Sequence, residues 1–125
     1  MISLRDCKDF RDHIIAQHDD EDWRESGWVI VVKGDEAAIA HYGHCSCYDT
    51  WDDLVESNDH HTTNELPRMR WDWTGSVAEL RTIVFNDRDP FMPERTANPE
   101  DNGYDHLAAC YQQAIQWFLK KEGSA

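Results

Sequence analysis

The chain has no apolar run near the roughly 18 residues of a membrane-spanning helix. The opening Met1-Ile2-Ser3-Leu4-Arg5-Asp6 has no apolar stretch of the secretory kind. Basic residues are scarce: 12 Lys and Arg stand against 25 Asp and Glu, a net charge of −13. That balance excludes a surface built to track a phosphate backbone or an anionic membrane. There is no phosphate-binding loop, no dinucleotide fingerprint and no His-Glu-x-x-His helix, which removes three common enzyme classes. No internal repeat and no low-complexity segment interrupts the chain. What remains is 125 residues, 40% hydrophobic, with six tryptophans. That is one domain over 1–125, with a modest core and too much apolar mass for a disordered acidic tail. The composition reads as a soluble cytoplasmic protein whose four cysteines are thiols.

The charge is uneven. Residues 1–66 carry 16 acids and five bases, whereas 67–125 carry nine and seven. Aspartate outnumbers glutamate by 16 to 9, and aspartate is a good cap and turn residue but a poor helix former. Between Asp49 and Asp59 there is no Lys or Arg at all.

Periodicity outlines the elements. Ser3-Leu4-Arg5-Asp6 resembles a capping box, and Leu4, Cys7, Phe10, Ile14 and Ile15 recur at helical spacing, so a helix is expected as far as His18. Gly27–Val32 reads as a buried strand. Lys33-Gly34-Asp35 signals a turn, and Glu36–Tyr42 returns as its hairpin partner. Thr50-Trp51-Asp52-Asp53 opens a short predicted helix through Glu56. Arg68–Trp73 alternates, with Met69, Trp71 and Trp73 on one side, as a third strand. Ser76-Val77-Ala78-Glu79 is the clearest capping box, followed by Leu80, Ile83 and Val84 as an apolar stripe. Residues 86–103 hold three prolines and read as an irregular loop, either a binding loop or merely a mobile one. Leu107, Tyr111, Ala114, Ile115 and Phe118 share one face of a final helix, with Cys110 beside them as a core thiol and Gly123 as a stop. The predicted class is α+β: a small antiparallel sheet of about three strands, covered by N-terminal and C-terminal helices, in the order α-β-β-α-β-α-α.

One cluster has the residue types for chemistry. His41, His44, Cys45 and Cys47 place two imidazoles and two thiols within seven residues, good ligands for zinc. In an extended stretch Cys45 and Cys47 point to the same side, and His60 or His61 could complete a tetrahedral set. A structural zinc site normally has two pairs with two to four residues between ligands, and the second pair is missing here. A Cys45–Cys47 disulfide is disfavoured by its short strained ring. The same residues suggest a cysteine enzyme, with Cys45 or Cys47 as nucleophile and one of His41, His44, His60 or His61 as base. The surrounding carboxylates work against a reactive thiolate, so the expectation is a protein that is not an enzyme.

The segment His41-Tyr42-Gly43-His44-Cys45-Ser46-Cys47-Tyr48-Asp49-Thr50-Trp51-Asp52-Asp53-Leu54 resembles a Tyr-x-His-Cys-Ser-Cys-Tyr segment of small uncharacterised bacteriophage and bacterial proteins. The resemblance covers about 14 residues and implies a phage-type accessory protein. Read with the charge, it gives a small acidic binding module that inhibits a basic host protein. The module would present Asp49, Trp51, Asp52, Asp53, Glu56 and Asp59, and mimicry of DNA toward a nucleic-acid-binding partner is one form of this. Trp51 among these acids is a candidate anchor for an arginine-rich surface, against the plainer reading of a tryptophan folded onto the sheet. The alternatives are a domain stabilised by zinc at His41, His44, Cys45 and Cys47, and a cysteine- or metal-dependent enzyme. Neither direct nucleic-acid binding nor membrane association is expected.

Overall fold

The computed structural model describes residues 10–19, 26–43, 71–97 and 104–123. A 3-10 turn, Phe10–His13, leads into β1 (Ile14–Asp19). Then come β2 (Ser26–Lys33), β3 (Glu36–Gly43), β4 (Trp73–Ser76), α1 (Val77–Phe85) and α2 (Tyr104–Glu122). The class is α+β. The four strands form an antiparallel sheet in the order β1-β2-β3-β4.

The β2–β3 hairpin follows from its turn. Gly34 has φ 63° and Asp35 does not share the positive φ, which is the type II′ pattern that matches strand twist. Lys33 and Glu36 close the turn as an opposite-charge pair. The Asp35 carbonyl accepts the Val77 N–H at 3.0 Å, which ties the hairpin tip to the start of α1. Both faces of this hairpin are buried. Trp28, Ile30, Ala37 and Ile39 belong to the core cluster with the helices, while Val29, Val31, Ala38 and Ala40 on the opposite face are fully buried too. Burial on both sides explains why β2 is a continuous apolar run instead of an alternation.

The capping box at Ser76 forms as predicted. Its hydroxyl accepts the Glu79 N–H at 3.1 Å, and the Glu79 carboxylate accepts the Ser76 N–H at 3.2 Å. At the other end of α1, Asp87 adopts φ 54°, and the Arg88 N–H reaches back to the Ile83 carbonyl at 2.9 Å. This is a Schellman-type ending with aspartate in the place glycine usually takes. Helix α2 buries Leu107, Cys110, Tyr111, Ala114 and Phe118 against the sheet, and Ile115 packs beside them. A two-point contact from Arg81 to Glu122, 2.6 and 3.3 Å, holds the helices together at the surface. Helix α2 also covers the β1 edge: Gln113 Oε1 accepts the Gln17 N–H at 3.0 Å, which occupies a main-chain donor that could otherwise recruit another strand.

Three expectations need correction. Among the described residues the sheet has four strands, where about three were expected. Over its described part, from Phe10, the helix expected to run to His18 is a 3-10 turn followed by β1, because the β-branched pair Ile14-Ile15 finds a strand partner in β2. A bulge between Ile14 and Ala16 turns Ala16 onto the helix side of the sheet, where it is buried. Tertiary pairing here outweighs the helical spacing of Phe10, Ile14 and Ile15. The strand expected over Arg68–Trp73 instead begins at Trp73 and ends at the helix cap. Asp72 lies in a bend, with its N–H on the Ile39 carbonyl and its carboxylate accepting the His41 N–H. The helix expected over Thr50–Glu56, together with residues 1–9, lies outside the described residues, so the described order is β-β-β-β-α-α.

Candidate interaction surface

After α1, the segment 86–97 is irregular but closely braced. Arg88 and Thr96 form an antiparallel bridge. The Ala97 N–H bonds the Asp87 carbonyl at 2.7 Å, Asp89 N–H the Arg95 carbonyl at 2.9 Å, and Arg95 N–H the Met92 carbonyl at 3.0 Å. At its root sits Asp89, 2% exposed. Its Oδ1 accepts the Phe91 N–H at 2.8 Å, and its Oδ2 takes Nε and Nη2 of Arg95, each at 3.1 Å. The Tyr111 hydroxyl of α2 donates to the Arg88 carbonyl at 2.6 Å, and Pro90 is buried. A carboxylate taken out of water needs such partners, and their geometry fixes the loop.

The result is a rigid mount for two exposed apolar side chains, Phe91 at 54% and Met92 at 43%. The Phe91 ring meets the Trp28 indole edge-on, centroids 6.0 Å apart. On the neighbouring strand the His41 imidazole leans on the same indole at 4.7 Å. Burial of that ring face lowers the His41 pKa, although the residue as a whole is exposed. Burial raises the pKa of Asp72, and the His41 N–H it accepts opposes that rise.

Of the residues proposed from the sequence as metal ligands, nucleophile or base, or acidic partner surface, His41 alone falls in a described segment. His44, Cys45 and Cys47 lie outside it, as do Asp49, Trp51, Asp52, Asp53, Glu56 and Asp59. Among the described residues no group of three or more His, Cys, Asp or Glu converges as a metal site. Cys110 is a core thiol as expected. It is fully buried, its Sγ lies 3.6 Å from the Trp28 carbonyl, and desolvation pushes its pKa up to about 12. A thiol so held is protonated and shielded, the opposite of a nucleophile. No helix of the described residues is long and apolar enough to cross a membrane.

Sequence reading gave 86–103 as a candidate binding loop without singling out Asp89, Phe91, Met92 or Arg95 within it. A signal was present: Asp89-Pro90 is a turn initiator, and Phe91-Met92 is an apolar pair in the middle of a polar loop, followed by Pro93. Compared with protein-family models, with curated proteins and with solved structures, the chain matches none.

Proposed function

We propose that the protein is a small acidic binding module that docks on a basic protein, with the Phe91–Met92 loop as its apolar anchor. The observation that carries the reading is the braced loop: a buried carboxylate and its hydrogen bonds serve to hold two apolar side chains in water. Aromatic residues and methionine are enriched at the centres of protein interfaces, where a few anchors dominate affinity. A loop already in shape loses little entropy on binding. The net charge of −13 selects the class of partner, because long-range attraction brings a basic surface to an acidic one. The acids of 49–59 would add to that attraction, and imitation of DNA toward a nucleic-acid-binding partner is the finer form of the reading.

The test is affinity capture with immobilised wild-type protein and with the double variant Phe91→Ser/Met92→Ser, from the same lysate. The expected result is a basic protein held by wild type, released as salt rises, and absent from the variant, whose melting temperature is unchanged. Equal capture by both proteins would reject the loop as anchor. A partner without basic character, or capture insensitive to salt, would reject the electrostatic part.

A further inference from the structure

Beside the loop is a cleft that the docking reading does not use. Trp73, Glu79, Thr82, Ile83, Arg88 and Pro93 line a space of about 260 Å³, open on one side. This is just below the roughly 300 Å³ at which pockets begin to hold drug-sized ligands, so an occupant must be of small-metabolite size.

The lining is held in place. The Trp73 indole lies over Gly75: a Cβ at that glycine would stand 2.5 Å from Cζ2 and 3.0 Å from Cη2 of the ring. Only a residue without a side chain lets the indole lie down there. Glu79 is fixed by the capping box, with its Oε1 on the Ser76 N–H and acceptor capacity left over. Arg88 is fixed through its main chain, with its N–H on the Ile83 carbonyl and its carbonyl accepting the Tyr111 hydroxyl. The Thr82 hydroxyl is turned to the Ala78 carbonyl of its own helix. The cleft therefore offers an apolar bed from Trp73, Ile83 and Pro93, with one acid and one base beside it.

A ligand with a single charge would meet one of those groups and be opposed by the other. A ligand with both charges a few bonds apart satisfies both. The geometry points to a binding site for a free zwitterionic α-amino acid with an apolar side chain. Its side chain rests on the bed, its ammonium faces Glu79, and its carboxylate faces Arg88.

The test is an NMR titration of the full chain with leucine, leucinamide and 4-methylpentanoate, which keep both charges, only the ammonium and only the carboxylate. The Trp73 indole N–H, assigned with Trp73→Phe, is the reporter. Leucine should shift it saturably, and each single-charge analogue should bind about tenfold more weakly. Glu79→Gln keeps the helix cap, since glutamine serves at that position. It should bring leucine down to the affinity that 4-methylpentanoate has for the same variant, while 4-methylpentanoate, relieved of the opposing carboxylate, binds more tightly than it does to wild type. Arg88→Gln should do the same relative to leucinamide. Phe91→Ser/Met92→Ser should leave leucine binding intact, which separates this site from the docking loop. No saturable shift with leucine up to about 20 mM, or equal binding of all three compounds, overturns the proposal.

Discussion

Arg95 is 60% exposed on its side chain, and truncating such a residue ordinarily moves stability by about 0.5 kcal/mol or less. The loop geometry calls for more. Its Nε and Nη2 both rest on Oδ2 of Asp89, whose side chain is 3% exposed. Arg95→Ala removes the cation and leaves the carboxylate where it is. Exposed ion pairs contribute about 0–1 kcal/mol, whereas breaking a buried pair by deleting one partner costs about 3–5 kcal/mol. This pair is buried at one end only. The Phe91 N–H still supports Asp89 at 2.8 Å, so the cost belongs between those limits, at about 2 kcal/mol. For a domain of this size that is a fall in Tm of about 8 °C. Thermal and urea unfolding followed by far-ultraviolet circular dichroism measure it, with Arg95→Lys expected between wild type and Arg95→Ala. The double variant Asp89→Ala/Arg95→Ala should be less destabilised than the two single losses together, by about 1 kcal/mol, because the second change removes a group the first had stranded. A loss below about 0.5 kcal/mol for Arg95→Ala, with additive energies in the cycle, would refute the reasoning.

Gly75→Ala puts a methyl group 2.5 Å from the Trp73 ring. It should cost about 1–3 kcal/mol and displace the Trp73 indole N–H resonance, and an unshifted resonance would contradict it. Ser76→Ala removes the acceptor for the Glu79 N–H and should cost about 1 kcal/mol in denaturant unfolding, with little change in m-value. Cys110, with its pKa raised by burial to about 12, should resist maleimide at pH 8 in native buffer and react in urea, as read by peptide mass mapping. Labelling of the native protein at the rate of an exposed thiol would show that the core is open there. His41 has its pKa lowered from 6.5 by burial, so the unfolded chain takes up the proton first as pH falls. That contribution to stability is complete above about pH 6.5 and is lost progressively below it. His41→Gln should flatten the decline between about pH 7 and 5, and an unchanged slope would assign it elsewhere.

Elements whose signal is local were readable in the residues. The Gly34 turn, the Ser76 capping box and the stripe from Leu107 to Phe118 each specify their structure within a few neighbours, and each forms as expected. Elements decided by distant partners were not. Ile14 and Ile15 fit either a helix or a strand until β2 is placed beside them. The alternation of Met69, Trp71 and Trp73 carries no mark of where pairing with β3 begins, and it begins at Trp73 opposite Ile39. The candidate surface shows the same division. Histidines and cysteines draw attention by type, whereas Asp89 is one of 16 aspartates and stands out among the described residues only through its burial beneath the loop.

Strands β3 and β4 lie side by side and antiparallel, with Ile39 opposite Trp73, yet residues 44–72 run between them. Neighbouring antiparallel strands require no more than a short turn. The histidines, cysteines and acids that the sequence marked as metal ligands or as an acidic partner surface fall in that stretch, apart from His41, and Asp72 near its end bonds back to β3 at Ile39 and His41. Closure entropy grows only logarithmically with length, so on that ground alone 29 intervening residues cost the β3–β4 pairing roughly 1.4 kcal/mol more than a turn of about six residues would. The sheet thus carries a long excursion of the chain at little entropic cost, and the chain comes back through Asp72 to the strand it left.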